Sequence, residues 1–190
     1  MRKSREEAAE TRRRIVAVAA EAFRANGIHA TGLADVMAAA GLSHGGIYRH
    51  FESKDQLVAQ ACEAGLAGIV GKLAGAAQGC EGEDAFRAIV DAYLSTGHRD
   101  APAHGCPFAS MGSELARADE ATRAAAWRGA DELIDMLAAR MGTPEEEADR
   151  TQAVFAFAAM VGALTMARII PDADASASLL EDVRQHIEMI

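Results

Sequence analysis

An all-α protein is what this sequence predicts, and three observations carry the prediction. Apolar residues recur at helical spacing along the chain, Ala is abundant while only 4 Pro occur, and Val and Ile form no alternating runs that would supply a sheet. With 190 residues, 50% hydrophobic and 25% charged, the chain can bury one large core or two small ones.

The elements follow in order. Thr11 to Asn26 carries Ile15, Val18, Ala19, Ala22 and Phe23 at helical spacing, and Gly27 stands where a left-handed C-terminal cap belongs. Thr31 is the N-cap candidate of a second helix, with Leu33, Val36, Met37 and Ala40 inward and Gly41 at its end. Ser43 starts a third, very short helix, His44 to His50, with Ile47 and Phe51 as its apolar side. Ser53 starts a fourth, with Leu57, Val58, Ala61 and Ala64 inward. The stretch Ala38 to Ser43 reads AAAGLS. Its small residues let two helices cross closely, Gly41 takes the turn, Leu42 plugs the core and Ser43 caps the third helix. Short helices with Gly- and Ser-marked joints, inside about fifty residues, are a helix-turn-helix layout.

Beyond residue 60 the pattern stays helical. Asp84 to Thr96 carries Phe86, Ile89, Val90, Tyr93 and Leu94; His98 to Gly105 is a loop; Pro107 to Ala118 is a short helix. Glu120 to Met141 is longer, with Trp127, Leu133, Ile134 and Leu137 inward. Thr143-Pro144-Glu145-Glu146 combines an N-cap, Pro at the first helical position and a capping-box Glu; that helix runs to about Ile170 before Pro171. Asp174 or Ser176 opens the last helix, striped by Leu179, Leu180, Val183, Ile187 and Ile190. The longest apolar stretch, Ala153 to Ala167, is shorter than a membrane span and reads as a helix buried on nearly all sides. With no low-complexity linker, the division falls beside the fourth helix: a head at 1–55 and a second part at 56–190 that are coupled rather than tethered.

The net charge of -9 hides an asymmetry. Residues 1–60 hold nine basic and seven acidic side chains, whereas 61–190 hold ten and twenty-one. The basic surplus sits in Arg2, Lys3, Arg5 and Arg12-Arg13-Arg14, so one end suits a polyanion while the other repels it. The bland alternative is a solvated helix start. Three widely spaced cysteines, Cys62, Cys80 and Cys106, with no C-x-x-C, suit a reducing cytoplasm, and no secretory segment opens the chain.

Residues 11–57 resemble the DNA-binding domain of the TetR family of repressors. The match is carried by Thr31, Asp35-Val36, Ala40-Gly41-Leu42-Ser43, Gly45, Ile47-Tyr48, His50-Phe51, Lys54 and Leu57. The departures are Leu42 where Val is usual and Met37 where Ala is usual. The resemblance implies a pseudo-palindromic operator as partner. Thr31 and Ser43, at helix N-termini, suit phosphates, as do the Tyr48 hydroxyl and the Lys54 charge. His44, Gly45, Gly46 and Arg49 are the candidates for reading base edges, Arg49 being equally able to contact a phosphate, and His50, at the end of the helix, is a further DNA-binding candidate. Singly, each has a plain structural reading: Tyr48 could pack, Lys54 could be a surface lysine, His50 could satisfy a local hydrogen bond.

The resemblance further implies a homodimer through the last two helices, about 145–170 and 176–190. Val154, Ala158, Val161, Gly162 and Thr165 would meet Leu179, Leu180, Val183 and Ile187 across a two-fold axis. It implies an apolar effector pocket, for which the candidates are Leu66, Ile69, Val70, Phe86, Tyr93, Cys106, Phe108, Met111, Trp127, Phe155 and Met160. Ordinary core is the alternative for each. His104 to Glu114 resembles the start of helix six in the YxaF/LmrA-like and NemR-like branch, some members of which sense electrophiles or oxidants through a cysteine. At a helix N-terminus, Cys106 would have its thiolate favoured. A metal site of His98, His104 and Cys106 lacks a fourth ligand.

No cofactor, catalytic residue or membrane partner is expected. The sequence has no H-E-x-x-H, G-x-S-x-G, Walker loop or strand-preceded G-x-G-x-x-G. The expected function is a transcriptional repressor released from DNA by a small-molecule or electrophile effector. A ligand-independent architectural DNA-binding protein is the rival, and a thiol-dependent enzyme a more distant one.

Overall fold

The computed structural model describes residues 5–141 and 150–189. They form α1 (Arg5–Asn26), α2 (Leu33–Ala39), a 3₁₀ helix η1 (His44–Arg49), α3 (Lys54–Ala76), α4 (Gly82–Tyr93), α5 (Thr96–Asp100), a second 3₁₀ helix η2 (Pro102–His104), α6 (Pro107–Leu115), α7 (Glu120–Ala138), α8 (Arg150–Ile169) and α9 (Ala173–Ile187). No strand occurs among the described residues. The Thr143–Glu146 helix start lies outside them.

The joints of the head carry out what their residues allow. Gly27 has φ 88° and donates its N–H to Phe23 O (2.8 Å), ending α1. Gly41 has φ 69°; it donates to Ala38 O, and Leu42 donates to Met37 O, both at 2.9 Å. This pair of bonds is the Schellman closure, which satisfies the last carbonyls of α2. The third helix is 3₁₀ rather than α. Its bonds run from Gly46 N to Ser43 O and from His50 N to Ile47 O, and six residues containing Gly45-Gly46 have too little α-propensity to resist that tightening.

Further along, Ser53 caps α3 by accepting from Gln56 N–H (3.1 Å), and Asp119 caps α7 by accepting from Thr122 N–H (2.9 Å). The cap of α9 is Asp172, which accepts from Ala175 N–H (2.7 Å), not Asp174 or Ser176. Ser176 is buried, and its hydroxyl donates to Ala167 O of α8 (2.6 Å). The expected loop at 98–105 is partly helical, formed by the end of α5 and η2.

Packing centres on α3, which lies against α1 on one side and α7 on the other, while α8 joins α7 to α9. A single buried apolar cluster runs from Ile15 and Phe23 in the head through Leu57, Leu66 and Ile69 to Leu133, Met160 and Leu180. At the α3–α7 contact, a Cβ on Gly129 would stand 2.5 Å from Leu66 Cδ1. By length and composition alone α3 and α8 could each cross a membrane, but both give a face to this core. α8 is not buried on nearly all sides: Phe155, Met166 and Ile169 are exposed, because the apolar stretch turns through a full circle and only one face meets the protein.

Candidate nucleic-acid interface and the junction behind it

The outward surface of the head is η1. Ile47 and Phe51 are buried and fix its orientation, which leaves Tyr48 69% exposed and Arg49 exposed. Gly45 faces open space, so backbone is the outermost material there. Gly46 faces the other way: a Cβ would lie 3.4 Å from Met37 Cε. Ser43 occupies the N-cap position and is exposed, but its side chain makes no capping bond. His50 is half-buried and makes contacts of its own. The His44 side chain lies outside what is described. On the flank, Arg12 donates to Gln60 Oε1 (3.2 Å) and lies 4.2 Å over the Phe51 ring, and Arg13 pairs with Glu10.

Two expected phosphate ligands are turned inward. Thr31 is not the cap of α2, a place held by Gly32. It is 4% exposed, and its hydroxyl donates to Gly27 O (2.7 Å). Lys54 donates from Nζ to Ile28 O (2.6 Å) and Thr31 O (2.8 Å), with Phe23 at 5.9 Å. The physical reason is shared. The turn at 27–31 exposes carbonyls that nothing helical can satisfy, and these two side chains are the donors within reach.

The same turn is held from the second part of the chain. Glu114, near the end of α6, accepts from Ile28 N–H (3.0 Å), His29 N–H (2.8 Å) and His29 Nδ1 (2.8 Å). Burial pushes the Glu114 carboxyl up, and the hydrogen bonds from His29 and Ile28 outweigh it, leaving the group below its ordinary value. Beside it, a cleft of about 300 Å³ is lined by Ile28, His29, Lys54, Arg117 and Asp119, among others.

Deeper in, polar groups gather where α1, α3, α4, α6 and α8 approach. Arg24 of α1 donates to Ala103 O of η2 (2.7 Å), while its Nη1 is buried without a partner among the described residues. His98 donates from Nδ1 to Tyr93 O (2.7 Å) and accepts from Cys106 N–H at Nε2 (3.0 Å), which fixes its tautomer and occupies both ring nitrogens. Burial pushes the His98 imidazole down to about 4. Arg168 of α8 donates to Arg99 O, His98 O and Ser110 Oγ, all within 3.0 Å. Gly105 leaves the space in which His98 Nε2 and Arg168 Nη2 meet it.

Cys106 caps α6 as a position and is fully buried. Burial pushes its thiol up, more than the Tyr93 hydroxyl, the N–H groups of Phe108 and Ala109 and Arg168 pull it down. The thiolate expected from the helix N-terminus is therefore overturned: desolvation outweighs the dipole.

The expected pocket residues divide. Leu66, Ile69, Phe86, Tyr93, Met111 and Met160 are core, and Val70 and Phe108 are half-buried. Trp127 and Phe155 are 59% and 61% exposed, so neither lines an interior site. Phe157, one helical face away, is the aromatic that meets Phe108, edge to face at 5.8 Å. Of the dimer stripe, Leu180 and Ile187 are buried inside the protein's own core, and Val154, Ala158 and Gly162 are exposed. Sequence reasoning missed Arg24 and Glu114. Arg24 lies in the last turn of α1, where a basic residue is already accounted for by the helix dipole, so its type gave no sign of an internal partner.

Comparison with known proteins agrees with this architecture. Residues 15–61 match the family described as bacterial regulatory proteins, tetR family, and residues 83–186 match the transcriptional regulator LmrA/YxaF-like C-terminal domain. The curated HTH-type transcriptional regulator TtgR of Pseudomonas putida is 45% identical over 58 residues, 30% of this chain; the match spans 28% of that relative's length. A TetR transcriptional regulator from Chloroflexus aurantiacus is 33% identical with TM-score 0.77, covering 97% of this chain and 95% of that one. Reduced NemR of E. coli shares the fold at 24% identity and TM-score 0.76, covering 95% of this chain and 96% of that one. The chain belongs to the TetR family of bacterial regulatory proteins, in the branch with an LmrA/YxaF-like C-terminal domain.

Proposed function

We propose that this protein is a dimeric transcriptional repressor of the cytoplasm that binds a pseudo-palindromic operator through η1 and leaves it when a small-molecule effector binds. The observation that carries the reading is the presentation of η1: Ile47 and Phe51 anchor it from below while Tyr48 and Arg49 stand free above. Tyr48 is the phosphate contact and Arg49 reads a base edge, with Gly45 allowing close approach. Residues 1–55 are the DNA-binding part and 56–190 the effector-binding and dimerisation part. The continuity of α3 across that division supports mechanical coupling between them.

The exposed apolar side chains Phe155, Met166 and Ile169 of α8, with Met189 just beyond α9, support these two helices as the dimer contact. The effector enters among Leu66, Phe86, Tyr93, Phe108 and Met160, apolar side chains that are buried or half-buried in the second part. The test is fluorescence anisotropy against a duplex that the protein selects from a random library. Arg49→Ala should lose discrimination at one base pair at a cost of about 1–3 kcal/mol, and Tyr48→Phe should weaken all sequences alike. Wild-type discrimination in Arg49→Ala removes the base-reading role.

A further inference from the structure

We infer that Glu114 is a positioning residue for DNA binding: its carboxylate, carried on the far arm of a kinked α6, latches the α1–α2 turn and sets the head's angle. The inference rests on the DNA-binding reading above. Its ground is the course of α6. Met111 has φ -139° and ψ 23°, which breaks the helix into two arms. The first arm is tied to α8 by Arg168, which donates to Ser110 Oγ (2.9 Å). The second arm ends in Glu114, which accepts from both backbone N–H groups of Ile28 and His29.

One short helix therefore touches α8, one of the two helices proposed for dimerisation, at one end and the head at the other. The grip is built to fit. Gly27 carries φ 88°, and a Cβ there would stand 3.0 Å from Glu114 Oε2, so the glycine both turns the chain and admits the carboxylate. Lys54 and Thr31 hold the carbonyls of the same turn from the head side. The turn is thus a rigid handle, and Glu114 grasps its N–H face.

The experiment compares wild type with Glu114→Ala, Glu114→Gln and His29→Ala. Binding is measured to a duplex selected by the wild-type protein and, separately, to sheared genomic DNA. Glu114→Ala should lose about tenfold in affinity for the selected duplex and keep its affinity for sheared DNA, because one head suffices for unspecific binding. Glu114→Gln, retaining one acceptor oxygen, should lose less, and His29→Ala least. A merely structural role would weaken both kinds of DNA in parallel with a loss of thermal stability, and that result overturns the inference, as does wild-type affinity in Glu114→Ala. A second readout is independent of DNA. Nitroxides on Glu52→Cys and Ser178→Cys of one protomer, in a Cys80→Ser background diluted with unlabelled chains, should give a broader distance distribution when Glu114 is Ala. If the wild type selects no duplex, the DNA-binding reading fails; an unchanged, narrow distribution then still rejects the latch.

Discussion

Replacing Lys54 by Met distinguishes a phosphate contact from an internal tie. Met keeps the apolar stem and removes the ammonium, so two hydrogen bonds vanish, to Ile28 O at 2.6 Å and Thr31 O at 2.8 Å. A hydrogen bond with one charged partner contributes about 1.5–3 kcal/mol. Lys54 is half-buried and the freed carbonyls can reach water, so the low end applies, about 3 kcal/mol for the pair. The Phe23 ring at 5.9 Å is at the limit of cation–π range and adds little. For a chain of this size 1 kcal/mol moves Tm by about 2–4 °C, so a loss of about 6–12 °C is expected in calorimetry. The slope of log affinity against log salt should stay at the wild-type value. A phosphate ligand predicts the reverse: Tm within about 1 °C of wild type and a slope shallower by about 0.9 for each phosphate no longer neutralised. That pair of results would refute the tie.

Other expectations concern the junction and the core. His98 is held at about 4 by burial against an ordinary 6.5, so its neutral form stabilises the fold. That contribution is complete above about pH 6.5 and is lost as pH falls towards 4, amounting to about 3 kcal/mol; urea melts of wild type should show it, and a His98→Gln variant should be flatter over that window. Burial pushes the Cys62 thiol up to about 12 and raises Cys106, while Cys80 is exposed. An aromatic disulfide reagent at neutral pH should therefore label one thiol rapidly and the other two only as the fold opens, and rapid triple labelling would contradict the burial. Gly129→Ala gains about 1 kcal/mol of helix propensity. It also places a methyl 2.5 Å from Leu66 Cδ1, an overpacking cost of about 1–3 kcal/mol or more, so net destabilisation is expected in denaturant melts.

Much of the fold is legible in the sequence because local rules decide it. Glycines at 27 and 41 take positive φ, Ser53 accepts the capping bond its position predicts, and Ile15, Phe23, Phe86 and Ile89 lie inward on the stripes they mark. The exceptions lie where a short-range rule competes with a neighbour distant in sequence. Asp172 takes the α9 cap from Asp174 and Ser176 because Ser176 is drawn to Ala167. Hydrophobicity places Trp127 and Phe155 inside, but their helix faces point away from the core, and hydrophobicity alone carries no direction when apolar residues surround the helix.

Spacing and residue type by themselves determined that the chain is helical and that Ile47 and Phe51 anchor the short helix carrying Tyr48 and Arg49. Those are consequences of interactions within a few residues. Only tertiary structure decided that Lys54 and Thr31 serve the turn, that Glu114 reaches across 86 residues of sequence to Ile28, and that burial pushes the Cys106 thiol up. The reason is that hydrogen-bond partners and desolvation depend on which groups meet in space, and a charge or a hydroxyl carries no label saying whether it will meet water, a carbonyl or DNA.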